Sequence, residues 1–212
     1  MTDWATVSNL ATAFGTLVLA TATFSSIRSA SRSARAAERA VQAELRPLLI
    51  SSRLEAPDQK LVWQDGHRTH LSGSAGYLRL HEGSLYLAAS LRNVGPGLGV
   101  IHGWRVGERP QYAEPAHPPV ESFRRQGRDL YLAPGDTSFW HAAIREADDP
   151  DHALLVQQIK EYDRVNIDLL YGDYEGGQLT ISRFALIARQ DDEETWFCQV
   201  VRHWSVGRPN PR

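Results

Sequence analysis

The chain has 212 residues, a formal net charge of −2, a single cysteine and 42% hydrophobic side chains. One cysteine excludes an internal disulfide framework, and a near-neutral charge excludes a strongly basic nucleic-acid binder. Arginine outnumbers lysine 21 to 2 and alanine is abundant, a composition expected of a GC-rich bacterial genome.

Three residues precede the first element. Trp4 to Ile27 then carry no charged side chain, and Arg28, Arg32, Arg35 and Arg39 follow at once. A helix rises ~1.5 Å per residue and a bilayer core is ~30 Å thick, so ~20 apolar residues span it. Residues 4–27 are therefore read as a transmembrane helix. Leu10, Phe14, Leu17 and Phe24 are its apolar anchors, and Trp4 sits where an interfacial aromatic is expected. The threonines and serines that interrupt it can bond back to the i−4 carbonyl. Ala20-Thr21-Ala22 resembles a signal-peptidase site. A signal peptide, however, wants positive charge before its apolar run, and only Asp3 stands there. Basic residues remain on the cytoplasmic side, so the N-terminus is expected outside and the bulk of the chain in the cytoplasm. Arg28, Arg32, Arg35 and Arg39 either set this topology or hold anionic headgroups.

Residues 28–46 have helical composition, and Pro47 ends the run. A single helix from Trp4 to Arg46, ~65 Å long, is expected, with a basic juxtamembrane stalk as its second part. Ile27, Ala34, Val41 and Leu48 fall seven apart, a weak heptad seam. Ser8, Thr12, Thr16 and Ala20, with Ala11 and Gly15, form small-residue faces of the kind that pair helices in membranes. A weak homodimer through this helix is the assembly expected.

Residues 47–206 have the size of one domain, with 207–212 as a tail. The stalk region 28–46 carries +3 and Asp3 carries −1, which leaves −4 on the rest of the chain and argues against nucleic acid as a partner. Period-two alternation predicts strands over 48–54, 60–64, 77–81, 84–91, 98–106, 129–132, 137–144, 164–171, 178–188 and 195–204. Over Arg164–Tyr171, Val165, Ile167, Leu169 and Tyr171 face one way, while Arg164, Asn166 and Asp168 face the other. The segment 195–204 is apolar on both faces and is expected to be central. Glu82-Gly83, Ala133-Pro134-Gly135-Asp136 and 172–177 supply turns. Asp149 and Pro150 start one short helix, with helical spacing over Ala153–Tyr162. Many short strands with regular turns predict an antiparallel all-β sandwich.

The runs 35–47 (RAAERAVQAELRP), 91–97 (LRNVGPG) and 170–177 (LYGDYEGG), behind an uncharged N-terminal helix, resemble a loose class of bacterial proteins. Its members have one membrane span, a helical stalk and an immunoglobulin-like β-domain. The resemblance implies that fold and location at the inner (plasma) membrane, and it brings no catalytic residues.

Chemistry-bearing patterns are sparse. His67 and His70 are three apart but in a loop setting, and His102, His141 and His203 lie on separate strands, so no metal site is expected. Cys198, inside a strand, reads as a small hydrophobe. Asp173 and Glu175 are too few for a calcium loop. Asn93–Gly99 is glycine-rich but lacks the lysine and helix of a phosphate loop, and there is neither a nucleophile elbow nor a dinucleotide fingerprint. The stretch Gly107–Arg128 is read as a long loop with Pro110, Pro115, Pro118 and Pro119, then Arg124, Arg125 and Arg128. Those three arginines are the candidate binding residues. These observations lead to an expectation of a non-enzymatic interaction or scaffold module without cofactor, held at the membrane and bound to lipid and an unknown protein partner. The alternative is a ligand-binding sensor that signals through stalk pairing.

Overall fold

A computed structural model describes residues 3–107, 116–189 and 195–207, apart from the side chains of 5–7. The expected termini 1–2 and 208–212, together with Pro110 and Pro115 of the long stretch, lie outside the described residues. The chain divides into two compact units, Met1–Ala43 and Glu44–Arg212.

The first unit is helix α1, Trp4–Glu44, 41 residues and so ~60 Å long. It is long and apolar enough to cross a membrane, which fits a single membrane span or a signal sequence alike. Trp4, Leu10, Phe14, Leu17 and Phe24 are 63–84% exposed. The hydroxyls of Thr12, Thr16 and Thr23 donate to the carbonyls of Ser8, Thr12 and Leu19 at 2.8–2.9 Å. These back-bonds remove the desolvation cost that a free hydroxyl would bring to an apolar helix. The helix stops before Pro47, so Leu48 is not on it, and the heptad seam is confined to Ile27, Ala34 and Val41.

The second unit is mostly antiparallel β. Its strands are β1 (Leu49–Ser51), β2 (Gln59–Val62), β3 (Arg68–Leu71), β4 (Ala75–His81), β5 (Ser84–Asn93), β6 (Gly99–Gly107), β7 (Arg124–Leu132), β8 (Thr137–Ile144), β9 (Val165–Asp173), β10 (Leu179–Ala188) and β11 (Trp196–Ser205). Helix α2 covers Pro150–Lys160, and a single 3₁₀ turn covers Val120–Ser122. Nine strands form one sheet in the order β1-β5-β4-β11-β10-β9-β6-β7, with β8 also on β5. Strand β5 carries β4 and β1 along one edge and β8 along the other. The sheet therefore runs from β8 to β7 and curls into a half-barrel.

The concave side is packed with apolar side chains of alternate residues: Leu85, Leu87 and Leu91 of β5, Trp140 of β8, Val165, Ile167 and Leu169 of β9, Phe184 and Leu186 of β10. Leu155 of α2 adds to the same cluster. Asp149 caps this helix through the Asp151 N–H, with Pro150 in its first turn, as the residue pattern predicts. The β2–β3 hairpin covers a second cluster around Trp63, Tyr77 and Tyr86. Leu170, Ile181 and Trp204 form a third, against which Val120 and Phe123 pack.

Three local expectations need correction. Residues 124–128 are strand, not loop: β7 begins at Arg124, and residues 120–123 are a packed turn. Residues 68–71, read as loop, pair with β2. Strand β11 lies between β4 and β10, yet it alternates, with Phe197 and Val201 half-exposed. Strand β9 is buried along its whole length, including Asp168, because Asp168 forms a two-pronged pair with Arg183 at 2.6 and 2.9 Å. A paired carboxylate can occupy a buried position that an unpaired one cannot.

Candidate functional site

Two of the quoted motifs turn out to be structural. Asn93 is fully buried, and its amide makes four bonds: Oδ1 accepts from the N–H groups of Leu48 and Gly95, and Nδ2 donates to the carbonyls of Gly97 and Leu132. Gly95 and Gly97 lie so close to the backbone of Leu45–Leu48 that a β-carbon would collide with it. The run 91–97 thus clamps the chain where it enters the β-domain. In the run 170–177, Asp173 accepts from the Gly177 N–H at 2.9 Å and Gly176 has φ +74°, which closes the β9–β10 hairpin.

Nucleophile candidates are sealed. Cys198 is fully buried, and burial pushes its thiol up to about 12. A Ser–His contact that the sequence pattern did not reveal joins Ser182 Oγ to His203 Nδ1 at 2.6 Å, and Tyr171 bonds the same hydroxyl at 2.8 Å. Ser182 is fully buried, so no substrate can reach it. Burial likewise pushes the Tyr171 phenol up to about 12.

The arginines Arg124, Arg125 and Arg128 come together with residues far away in sequence. They line an open cleft of about 540 Å³ where the two ends of the sheet, β7 and β8, approach each other without a backbone ladder. Trp63, His141 and Arg145 line it too. The register of β7 explains the gap. Arg125 pairs with Gly103 and Leu130 with Ile101, so five residue steps on β7 face two on β6. Gln126–Asp129 have no register partner on β6, a bulge of the kind that re-aims side chains. Gln126 bridges the seam instead. Its Nε2 donates to the His141 carbonyl, and its Oε1 accepts from Trp140 Nε1, both at 3.1 Å.

The cleft's charges are unevenly balanced. Arg124 lies over the Trp104 ring and is held by Asp149 and Asp151, whose hydrogen bonds raise its pKa further. Arg145 donates to Asp65 at 2.9 and 3.1 Å. Desolvation pushes the Asp65 carboxyl up, but bonds from Tyr86, the His67 N–H and Arg145 outweigh it and hold the group below its ordinary value. Arg125 and Arg128 are exposed, and among the described residues neither is ion-paired. Among the described residues, no acidic side chain lines the cleft. His141 Nδ1 is buried without a hydrogen-bond partner among the described residues. Desolvation first, and Arg128 second, hold that imidazole below its ordinary value and hence neutral near pH 7.

The other sequence candidates lie elsewhere. Arg28, Arg32, Arg35 and Arg39 are exposed on α1. His67 stacks on Tyr86 at 3.9 Å between ring centres and bonds the Tyr77 hydroxyl at 2.9 Å. Among the described residues, no three His, Cys, Asp or Glu side chains are grouped to hold a metal. No family model, curated sequence or solved structure matches the chain.

Proposed function

We propose that this chain is a membrane-tethered, non-enzymatic binding module. In this reading α1 spans a bacterial inner membrane, the β-domain lies on the cytoplasmic side, and the β7–β8 cleft receives its partner. One observation carries the reading: two arginines without an ion-pair partner among the described residues line a concave seam in which no described side chain is acidic. Cationic clefts of this kind recruit anionic groups and raise their local concentration. The sealed positions of Cys198 and Ser182 favour binding over covalent catalysis. The two halves of the sheet facing each other across one core support an immunoglobulin-like, sandwich-type description of the domain.

The cleft's volume favours a second form of the proposal, a sensor. Small-molecule sites fall within ~300–1,000 Å³, which includes this cleft. In that form, ligand binding at the seam is transmitted through pairing of α1 with a second copy, a weak homodimer in the lipid bilayer. The −4 balance outside the helix disfavours nucleic acid as the partner.

Arginine-specific labelling with phenylglyoxal tests the binding site whatever the partner is. In native membranes Arg125 and Arg128 should be protected, and they should become reactive once the protein is purified in detergent. Arg53, exposed and outside the cleft, should react equally in both states. Equal reactivity of Arg125, Arg128 and Arg53 in native membranes would mean that the seam is empty of partner and the reading fails.

A further inference from the structure

We infer that the β7–β8 cleft is a phosphate-recognition site, and that its ligand is a small molecule or headgroup bearing a phosphomonoester or diphosphate. The inference rests on the reading of this cleft as the binding surface and names what the surface binds. Three features distinguish phosphate from other anions. First, the uncompensated charge is two: Arg125 and Arg128 are free of carboxylates among the described residues, while Arg124 and Arg145 are already engaged. A phosphomonoester carries about −1.5 to −2 near pH 7, whereas a carboxylate or a phosphodiester carries one charge and would leave one arginine unmatched. Second, the cations are guanidiniums. Their planar forks meet the oxygens of a phosphate two at a time, and the several oxygens of one phosphate accommodate two forks together. Third, both arginines come from one bulge. The register jump between Ile101 and Gly103 puts Arg125 at its start and Arg128 three residues on, with Gly127 between them and no atom near the place a β-carbon would take. A regular strand would turn two residues with odd spacing to opposite faces, and the bulge brings both to the cleft.

The remaining lining supplies a place for the rest of the ligand. His141 lines the cleft with its imidazole, while its Nδ1 is buried beneath the surface without a hydrogen-bond partner among the described residues. Trp63 closes the floor, its Nε1 spent on the Ala142 carbonyl at 2.9 Å. A cleft of about 540 Å³ has room for a phosphate together with a sugar- or glycerol-sized group.

The test uses the full chain in nanodiscs of zwitterionic lipid, titrated with pyrophosphate by calorimetry. Salt is kept at about 0.15 M, where the Debye length of ~8 Å suppresses diffuse attraction. We expect saturable binding, an upward shift of the His141 titration on saturation, and about a hundredfold loss of affinity in Arg125→Gln/Arg128→Gln, since each charge-assisted contact is worth at least about tenfold. Arg53→Gln should bind as wild type. Both arginines of the double variant are exposed, so its fold should persist, and an unchanged melting temperature checks this. Repeating the titration in nanodiscs containing phosphatidic acid, whose headgroup is a phosphomonoester, separates the two sources of phosphate. A headgroup already in the cleft abolishes pyrophosphate binding, and a cleft for a soluble ligand retains it. Either result upholds phosphate recognition. Citrate binding as tightly as pyrophosphate overturns it, as does pyrophosphate binding that the double variant leaves intact. If no pyrophosphate binds while the phenylglyoxal protection persists in native membranes, the cleft is a binding surface for something other than phosphate. If the protection is absent as well, both ideas fall.

Discussion

Replacing Asp168 with leucine should be among the most damaging single changes in the β-domain. Asp168 is fully buried, and its two carboxylate oxygens accept from Arg183 Nε at 2.6 Å and Nη2 at 2.9 Å. Arg183 is only 3% exposed and lies over the Trp204 ring at 5.2 Å. Asp168→Leu therefore leaves a guanidinium buried without its carboxylate. Breaking a buried pair from one side costs ~3–5 kcal/mol, a large part of the ~5–15 kcal/mol that holds a typical domain together. The double variant Asp168→Leu/Arg183→Met removes both charges and fills the space with apolar atoms. It should return to within about 1 kcal/mol of wild type, since such replacements are often neutral. Gly107→Ala should act in the same direction but more weakly, because its β-carbon would lie 3.1 Å from Asp168 Oδ1 and 3.2 Å from Arg183 Nε. Urea unfolding of the full chain in detergent, read by tryptophan fluorescence, measures these differences, since every tryptophan except Trp4 lies in the β-domain. A loss below about 1 kcal/mol for Asp168→Leu would refute the pairing argument. So would a double variant no more stable than the single one, which would mean that shape rather than charge matters at this site.

Acid should weaken the domain through its histidines. Burial, with Arg128 near His141 and Arg46 near His203, holds both imidazoles below the ordinary value of 6.5. The folded protein then binds fewer protons than the unfolded chain, so this stability is fully present above about pH 6.5 and is lost as the pH falls below it. Melting temperatures should drop between about pH 7.5 and pH 5.5, and His141→Gln with His203→Gln should flatten the slope; a wild-type midpoint unchanged across that range would contradict this. Cys198 should resist iodoacetamide in the native state and react in urea, and fast native labelling would show that β11 opens. A reporter fused after Arg212 should be cytoplasmic, and an active alkaline phosphatase fusion there would reverse the orientation. Cysteines placed at Ala34 and Val41 should crosslink in membranes more than cysteines at Arg35 and Arg39, and Gly15→Ile should reduce the yield. Equal crosslinking at all four positions would make the seam a mere spacer.

Elements held by local chemistry were legible from the residues alone. The long uncharged helix, the Asp149 cap with Pro150 behind it, the Glu82-Gly83 corner and the Pro134-Gly135 turn each depend on side chains within a few positions of one another. Glu82 and Gly83 have φ of +48° and +80°, and the Asp136 N–H closes its turn onto Ala133 at 3.1 Å. The seven-residue spacing that admitted Leu48 to the stalk seam failed for an equally local reason: Pro47 had already ended the helix. Burial was harder to read. Alternation sets Asp168 on the face opposite Ile167 and says nothing of a partner there, yet Arg183 lies across the β9–β10 ladder, where the register sets the two opposite.

The cleft was half legible, and the missing half has a physical cause. Arg124, Arg125 and Arg128 stand out as charges after a proline-rich stretch, a pattern that by itself predicts a loop. What makes them a site is a register jump between β6 and β7 together with the failure of β7 and β8 to pair after a four-residue turn. Such a turn would ordinarily close a hairpin. Here β8 is drawn to β5 over eight register positions, Leu85–Arg92, and β7 is drawn to β6, so the turn becomes a corner between the two ends of one sheet. The choice depends on contacts roughly fifty residues apart in β5 and β8, which no local pattern encodes. Once the ends are held apart, the seam needs polar groups to satisfy Trp140 and the His141 carbonyl, and Gln126 supplies both bonds from within the bulge. The bulge thus has two consequences at once: it supplies the bridge that bounds the cleft, and it turns Arg125 and Arg128 toward the same opening.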